Sequence, residues 1–240
     1  MFKQKSFAVV MPAYNAESKI NGVINRIPRI YDKFIVVDDK STDDTLQVLK
    51  KIKPKMKNMI LLLHKKNKGY GGAQKTLFKE ALKSNVDYAV LLHDDGQYDP
   101  KEMTNLLNVA IENNADIVLG SRILGGKMKE GGVPFYKQIG NKFLTALENI
   151  AFGTKITEFH TGYRVYSRQA LRKIKWDKLT NKYYFDSEVI LEILRNKLKI
   201  IEVPISVNYR ENITAANPFT YGLEILYLII RHIIGRIKFS

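Results

Sequence analysis

Five short apolar runs, each followed by a stretch of helical periodicity, constrain the fold of this chain more than any other feature. The runs FAVVM (7–11), FIVV (34–37), MILLL (59–63), YAVLL (88–92) and, after its first residue, DIVLG (116–120) carry no charged residue, as strands covered on both faces do not. Between them apolar residues recur at helical spacing. Ile20, Val23, Ile24 and Ile27 mark a helix expected over 17–30, and Leu46, Leu49 and Ile52 mark one opened by a Ser41/Asp44 capping box. Ala73, Leu77, Ala81 and Leu82 mark a third, and Met103, Leu106, Leu107, Ala110 and Ile111 a fourth. Strands alternating with helices predict an α/β fold: a Rossmann-like, mostly parallel sheet with helices on both faces.

Beyond residue 125 the pattern changes. GGKMKEGG reads as a mobile segment rich in glycine and lysine. A helix follows over 135–152, apolar along Phe135, Ile139, Phe143, Leu147 and Ile150. Then come TGYRVYSR, a helix near 185–196, a strand KIIEVPI and a last helix from about 219. The absence of repeats and long linkers predicts one domain over 1–216 and a C-terminal amphipathic helix over 217–240. Arg231, His232 and Arg236 interrupt that last run, leaving its apolar stretch far short of the roughly 20 residues that span a bilayer. It is expected to lie at a membrane interface with its basic residues toward the headgroups. The alternative is a core or oligomer-interface helix. Near the N-terminus, FAVVM is shorter than a signal-peptide core and reads as the first strand.

The sequence contains no cysteine, which excludes disulfides and thiolate metal sites and suits a reducing cytoplasm. Lys and Arg outnumber Asp and Glu by 39 to 24, a formal charge of +15 that attracts phosphates of any kind. No Gly-x-Gly-x-x-Gly follows the first strand and no Gly-Lys-Ser/Thr is present, which argues against a nicotinamide site and a phosphate-loop NTPase. A nucleic-acid partner is not expected either, because the basic residues are not interleaved with aromatics as a stacking platform.

In open parallel sheets ligands gather at the carboxyl ends of the strands, near a switch in strand order. The polar signals fall there: PAYN, DDKS, HDDGQ and GSR end strands one, two, four and five. Asp38 and Asp39 can accept hydrogen bonds from a ribose or base, although Asp38 can equally cap the next helix. In HDDGQ, Asp95 and the amide oxygen of Gln97 are hard donors suited to Mg²⁺ or Mn²⁺. His93 can add a nitrogen. The alternative is a plain Asp-Gly turn.

The blocks VMPAYNAE, VVDDKSTDDT, NKGYGGA, HDDGQYDP, GSR, HTGYR, FDSE and EVPI…YR occur in the order found in family-two glycosyltransferases. They most resemble the dolichyl-phosphate mannosyltransferase branch, with its bacterial and archaeal polyprenyl-phosphate sugar transferases, over residues 7 to about 212. The resemblance implies a GT-A fold and inverting, metal-dependent transfer from a nucleotide sugar, GDP-mannose or a UDP-hexose. By position, Pro12 and Tyr14 would frame the base, with Glu17 nearby, and Asp39 would hold the base or ribose. Asp95 and Gln97, with His93, would bind the metal. Asp94 would touch ribose or sugar, and Arg122 and Arg210 would contact phosphates. Arg164 and His160 would orient a donor or acceptor phosphate. Three departures stand out: His93 replaces the first aspartate of Asp-x-Asp, Ala16 replaces the acid after PxYN, and ENITAANP lacks the lysine that follows the last arginine.

A polyprenyl or dolichyl phosphate acceptor would be nucleophilic without a base, because the second pKa of a phosphate monoester is about 6. The demand then shifts to cations, for which Arg122, Lys127, Lys129, Lys137, Arg164 and Arg210 are candidates. A sugar or lipid hydroxyl would need a base, Glu188 or Asp186. The expected setting is the cytoplasmic face of an anionic membrane, where the protein sits peripherally, with or without an anchoring partner. The rivals are a catalytically inactive nucleotide-binding subunit and a nucleic-acid-binding basic protein.

Overall fold

The computed structural model describes residues 1–126, 128–209 and 217–238, with side chains to Gly235. The chain runs β1 (Phe7–Ala13), α1 (Ile20–Arg26), β2 (Lys33–Asp38), α2 (Thr45–Ile52), β3 (Met59–Leu63), α3 (Gly69–Lys83), β4 (Tyr88–Leu91), α4 (Met103–Glu112), β5 (Ile117–Ser121), α5 (Phe135–Phe152), β6 (Arg164–Ser167), α6 (Arg168–Lys173), α7 (Phe185–Arg195), β7 (Ile200–Pro204) and α8 (Pro218–Lys238). The strands form one seven-stranded sheet in the order β3-β2-β1-β4-β6-β5-β7. All point the same way except β6, which is antiparallel to both β4 and β5.

Both faces are covered, as the uniformly apolar strands require. Along β1, Ala8 and Val10 enter a core shared with α3, α5, α6, α7 and α8. Phe7, Val9 and Met11 enter the opposite core with α1, α2 and α4. The chain steps outward from β1 through β2 to β3 and returns to place β4 on the other side of β1. This reversal opens a crevice at the carboxyl ends of β1 and β4, the usual ligand position in such sheets.

Local chemistry moved some boundaries. Helix α1 is shorter than 17–30: Ile27, held extended by the following Pro28, ends it, and residues 15–17 are tied to the β2–α2 loop. The Ser41/Asp44 capping box does not form. Ser41 Oγ instead accepts from Asn15 N at 3.1 Å, and Asp43 Oδ1 accepts from Thr45 N at 3.0 Å at the head of α2. The glycine-rich segment after β5 is packed: Met128 and Val133 are buried against Val207 and Tyr209, and Tyr209 N donates to Gly131 O at 2.7 Å. A Cβ at Gly125 or Gly131 would collide with the carbonyl of Ile205 or Val207. These glycines serve close backbone approach, not slack. Among the described residues no helix is long and apolar enough to cross a membrane.

Candidate functional site

A cleft of about 880 Å³ opens over the β1/β4 switch point. One wall is the loop after β1, stitched to the loop after β2. Thr42 N donates to Asn15 Oδ1 at 2.9 Å, Ala16 N to Thr45 Oγ1 at 2.7 Å and Asp44 N to Glu17 Oε2 at 2.8 Å. Glu17 therefore serves as a loop staple, and it does not line the cleft, whereas Pro12, Tyr14 and Asp39 do. Asp38 lies behind them, buried, accepting from Ser41 N at 3.3 Å. Asp39 is buried and fully oriented: it accepts from Lys68 N at 2.8 Å and Gly69 N at 2.9 Å and pairs with His64 Nδ1 at 2.6 Å.

The HDDGQ segment forms the floor. Asp94 reaches across the switch point to accept from Tyr14 N at 3.1 Å, and Asp95 Oδ1 accepts from Gln97 N at 2.9 Å. Burial, reinforced by the charge of Asp95, pushes the Asp94 carboxyl up to about 7. The backbone N–H of Tyr14 and the charge of Lys19 act in the opposite direction without cancelling the rise. The His93 ring is held by an edge-on contact with Tyr70 and by Gly162, where a Cβ would strike the imidazole. Its Nε2 lies 3.4 Å from the Tyr70 hydroxyl, which itself donates to Asp186 Oδ2 at 2.6 Å. Burial is the main force holding the His93 pKa below its ordinary value, against the raising charges of Asp95 and Asp186. Among the described residues no group of three or more His, Asp or Glu side chains is arranged to hold a metal. Two adjacent carboxyl groups offer hard oxygen donors that would suit a divalent ion.

Arg122 forms the far wall, and Glu158 holds it. Glu158 is fully buried and accepts from Arg122 N and Nε, each at 2.7 Å, from an Arg122 terminal nitrogen, and from Asn141 Nδ2 at 2.9 Å. Burial alone would raise the Glu158 pKa, but the Arg122 charge and its hydrogen bonds outweigh it and hold the carboxyl below the usual range. Arg122 also donates to Gln97 Oε1 at 3.1 Å and to His160 O at 3.1 Å. Gln97 thus faces the guanidinium through the oxygen it was expected to offer a metal. The His160 nitrogens lie 2.9 Å from Asn141 Oδ1 and 2.7 Å from Glu148 Oε2, a pairing that locks its ring beneath α5.

Other expected residues lie elsewhere. Arg164 is fully buried in β6 and donates to the carbonyls of Thr161, Phe159 and Asp186 at 2.8, 2.7 and 3.1 Å, with Asp186 Oδ1 at 3.6 Å. It braces the loop before β6 against α7 and does not line the cleft. Glu188 points away as well, accepting from Thr180 N at 2.6 Å and pairing with Arg231 of α8. Asp186 does face the cleft. Arg210 and Lys127 lie outside the described residues. Lys137 lines the cleft and donates to the Tyr209 hydroxyl at 2.5 Å, whereas Lys129 is exposed. Sequence reasoning missed Glu158, Tyr70 and Tyr221. Tyr221, from α8, lines the cleft with its ring edge-on to His160 at 5.2 Å. The signal for Glu158 was its place two residues before the HTGYR block.

Comparison with known proteins accords with this geometry. The model of the family described as Glycosyl transferase family 2 matches residues 8–175. The chain is 30% identical to the UDP-N-acetylglucosamine–dolichyl-phosphate N-acetylglucosaminyltransferase of Methanococcus voltae, covering 97% of this chain and 98% of that protein. It is 27% identical to the polyprenol monophosphomannose synthase of Mycolicibacterium smegmatis, covering 85% and 77%. Among solved structures, glucosyl-3-phosphoglycerate synthase from Mycobacterium tuberculosis in complex with UDP superposes with a TM-score of 0.71 at 17% identity, over 95% of this chain and 80% of that one. That likeness concerns the fold, which is GT-A. With the family model spanning well over half of its length and a relative aligned nearly end to end, the chain belongs to glycosyl transferase family 2.

Proposed function

We propose that this protein transfers a sugar, with inversion, from a nucleoside-diphosphate sugar to a polyprenyl or dolichyl phosphate, working peripherally at the cytoplasmic face of a membrane. The observation that carries the reading is the junction of the polar cleft with two apolar helices. Tyr136, Lys137 and Asn141 of α5 and Tyr221 of α8 line the cleft. The outer faces of the same helices expose Phe135, Ile139, Phe143 and Ile150, and Phe219, Leu223, Leu226, Tyr227, Ile230, Ile233 and Ile234. An exposed apolar surface of this kind marks an interaction site, and beside a cleft that carries Lys137, Arg122 and His160 it suits the two ends of a lipid phosphate. Arg231, one of the basic residues expected to face headgroups, is half-exposed and pairs with Glu188. The side chains of Arg236 and Lys238 lie outside the described residues.

In this reading the nucleoside occupies the wall of Pro12, Tyr14 and Asp39. An oxygen of the acceptor phosphate attacks the anomeric carbon from the face opposite the diphosphate, the bond from that carbon to the diphosphate oxygen breaks, and the nucleoside diphosphate leaves with the electron pair. Asp95, with Asp94, would hold a divalent ion, Mg²⁺ or Mn²⁺, which when bound supplies positive charge to the leaving diphosphate. No base is required. Asp186 is braced by Tyr70 and Arg164, and Glu188 is turned away. Lys137 is placed to draw the acceptor phosphate toward the donor.

A panel of GDP- and UDP-sugars with Mg²⁺ or Mn²⁺ and a short polyprenyl phosphate tests the proposal, with neutral polyprenol as control. A lipid-phosphate-linked sugar is expected from one donor, and Asp95→Asn should abolish it without lowering the melting temperature. Equal use of the neutral alcohol would overturn the acceptor assignment.

A further inference from the structure

His64 follows β3 and belongs to none of the strand-end motifs, yet it has the most constrained contact with the nucleoside wall. Its Nδ1 lies 2.6 Å from Asp39 Oδ1, and both side chains are 5% exposed. Its Nε2 lies 2.8 Å from Thr76 Oγ1 on α3, so the ring is pinned at both nitrogens. The other groups on Asp39 are the N–H of Lys68, on Oδ1, and that of Gly69, on Oδ2. A carboxylate accepts at roughly four lone-pair positions. Three are filled by donors, and one remains, on Oδ2, in a residue that lines the cleft.

We infer that His64 is a positioning residue for nucleobase recognition: it fixes Asp39 as an acceptor-only group whose single open position must receive a ligand N–H. The inference rests on the reading of the cleft as a nucleoside-diphosphate-sugar site and adds a selectivity to it. Uracil presents a ring N–H at N3 between two carbonyls, and guanine presents one at N1 between a carbonyl and an amino-bearing carbon. Cytosine and adenine present a ring nitrogen lone pair there, which would face the carboxylate unpaired. A site built to receive a hydrogen bond discriminates strongly against an analogue that cannot supply it. Without His64, Asp39 can turn away from the geometry that Lys68 and Gly69 define.

The test is calorimetric titration of the full chain with Mn²⁺ and UDP, CDP or inorganic pyrophosphate, the last carrying no base. Wild-type protein should bind UDP at least tenfold more tightly than CDP, about 1.4 kcal/mol. His64→Ala should remove most of that ratio while leaving pyrophosphate within about twofold. His64→Asn, whose amide can return a donor near the Nδ1 position, should restore much of it. If His64→Ala fails to fold, Thr76→Val keeps the test, since it releases the ring but leaves Asp39 its donors; it should lower the ratio, and an unchanged ratio overturns the inference. So does equal binding of UDP and CDP by the wild type, which would place a ribose hydroxyl on Asp39. Parallel loss of UDP and pyrophosphate in His64→Ala overturns it too, because that is what a merely structural role gives. A wild type that binds none of the three overturns the transferase reading, and this inference with it.

Discussion

Replacing Glu158 by glutamine should destabilise the protein more than any other single change in the cleft wall. The native carboxylate is fully buried and receives three donors from Arg122 and one from Asn141. Glutamine keeps the volume but offers one acceptor oxygen and turns an amide N–H₂ toward groups that are themselves donors. Arg122, only 8% exposed, then keeps Gln97 Oε1 and His160 O and no countercharge. Removing one partner of a buried ion pair costs about 3–5 kcal/mol. In a chain of this length each kcal/mol lowers Tm by about 2–4 °C, so a fall of about 6–20 °C is expected at pH 7. The sign with pH follows from the depressed Glu158 pKa: the stabilisation is present above the pKa of the unfolded carboxyl and is lost as pH falls through the lower, folded value. Wild type and variant should therefore converge in acid. Thermal and urea unfolding from pH 7 down to about pH 3 measures both effects. A variant within about 1 kcal/mol of wild type at pH 7, or a gap that persists undiminished in acid, would refute the reasoning. The paired change Arg122→Met with Glu158→Leu should recover much of the stability and none of the transfer.

Asp94 gives the opposite pH dependence. Its pKa, raised to about 7, means that the folded metal-free protein holds a proton the unfolded chain has lost, so stability should decline from about pH 4 to pH 7 and level off above. Asp94→Asn should flatten that slope in a melting series, and an unchanged slope refutes the assignment. The apolar outer faces predict vesicle binding: the double variant Leu223→Asp with Ile230→Asp, at positions 67% and 56% exposed, should keep its Tm within a few degrees and sediment far less with anionic vesicles. Equal sedimentation removes α8 as the docking element. Base-free chemistry predicts that Asp186→Asn and Glu188→Gln retain much of the turnover with saturating donor, whereas Lys137→Ala loses most of it. A thousandfold fall in Glu188→Gln without unfolding would indicate a base.

Much of this architecture was legible in the sequence because burial on two faces leaves a blunt signature. The five apolar runs became β1 to β5, and the strand-end signals PAYN, DDKS and HDDGQ met at one cleft. Strand β6 was not legible: it is four residues long and begins with Arg164, whose charge hides a fully buried position. The same residue shows why site roles were harder to read than the fold. A motif names a residue type, whereas its role depends on partners distant in sequence. Arg164 and Arg122 were both candidate phosphate ligands, but Asp186 lies 22 positions from the first and Glu158 lies 36 from the second. Glu17 and Glu188 likewise bond backbone N–H groups of neighbouring loops, an arrangement no local pattern announces.

Those pairings change what the formal charge of +15 can mean. The excess is not concentrated in the cleft: among the described residues Arg122 in its wall is matched by Glu158 and Arg164 behind it by Asp186, while Asp94 and Asp95 place carboxyl groups at the floor. In the proposed reading a divalent ion held by Asp94 and Asp95 would supply positive charge on the donor side when bound, and Lys137 would supply it on the acceptor side. The exposed lysines on the loop after β3, Lys65, Lys66 and Lys68, then act at longer range, raising the local concentration of anions at the cleft mouth, where solvent screens them. Arg122, neutralised by Glu158, gives the cleft a wall braced by four hydrogen bonds to one carboxylate. In the proposed reading, metal and lysine would supply charge where the leaving diphosphate develops its own.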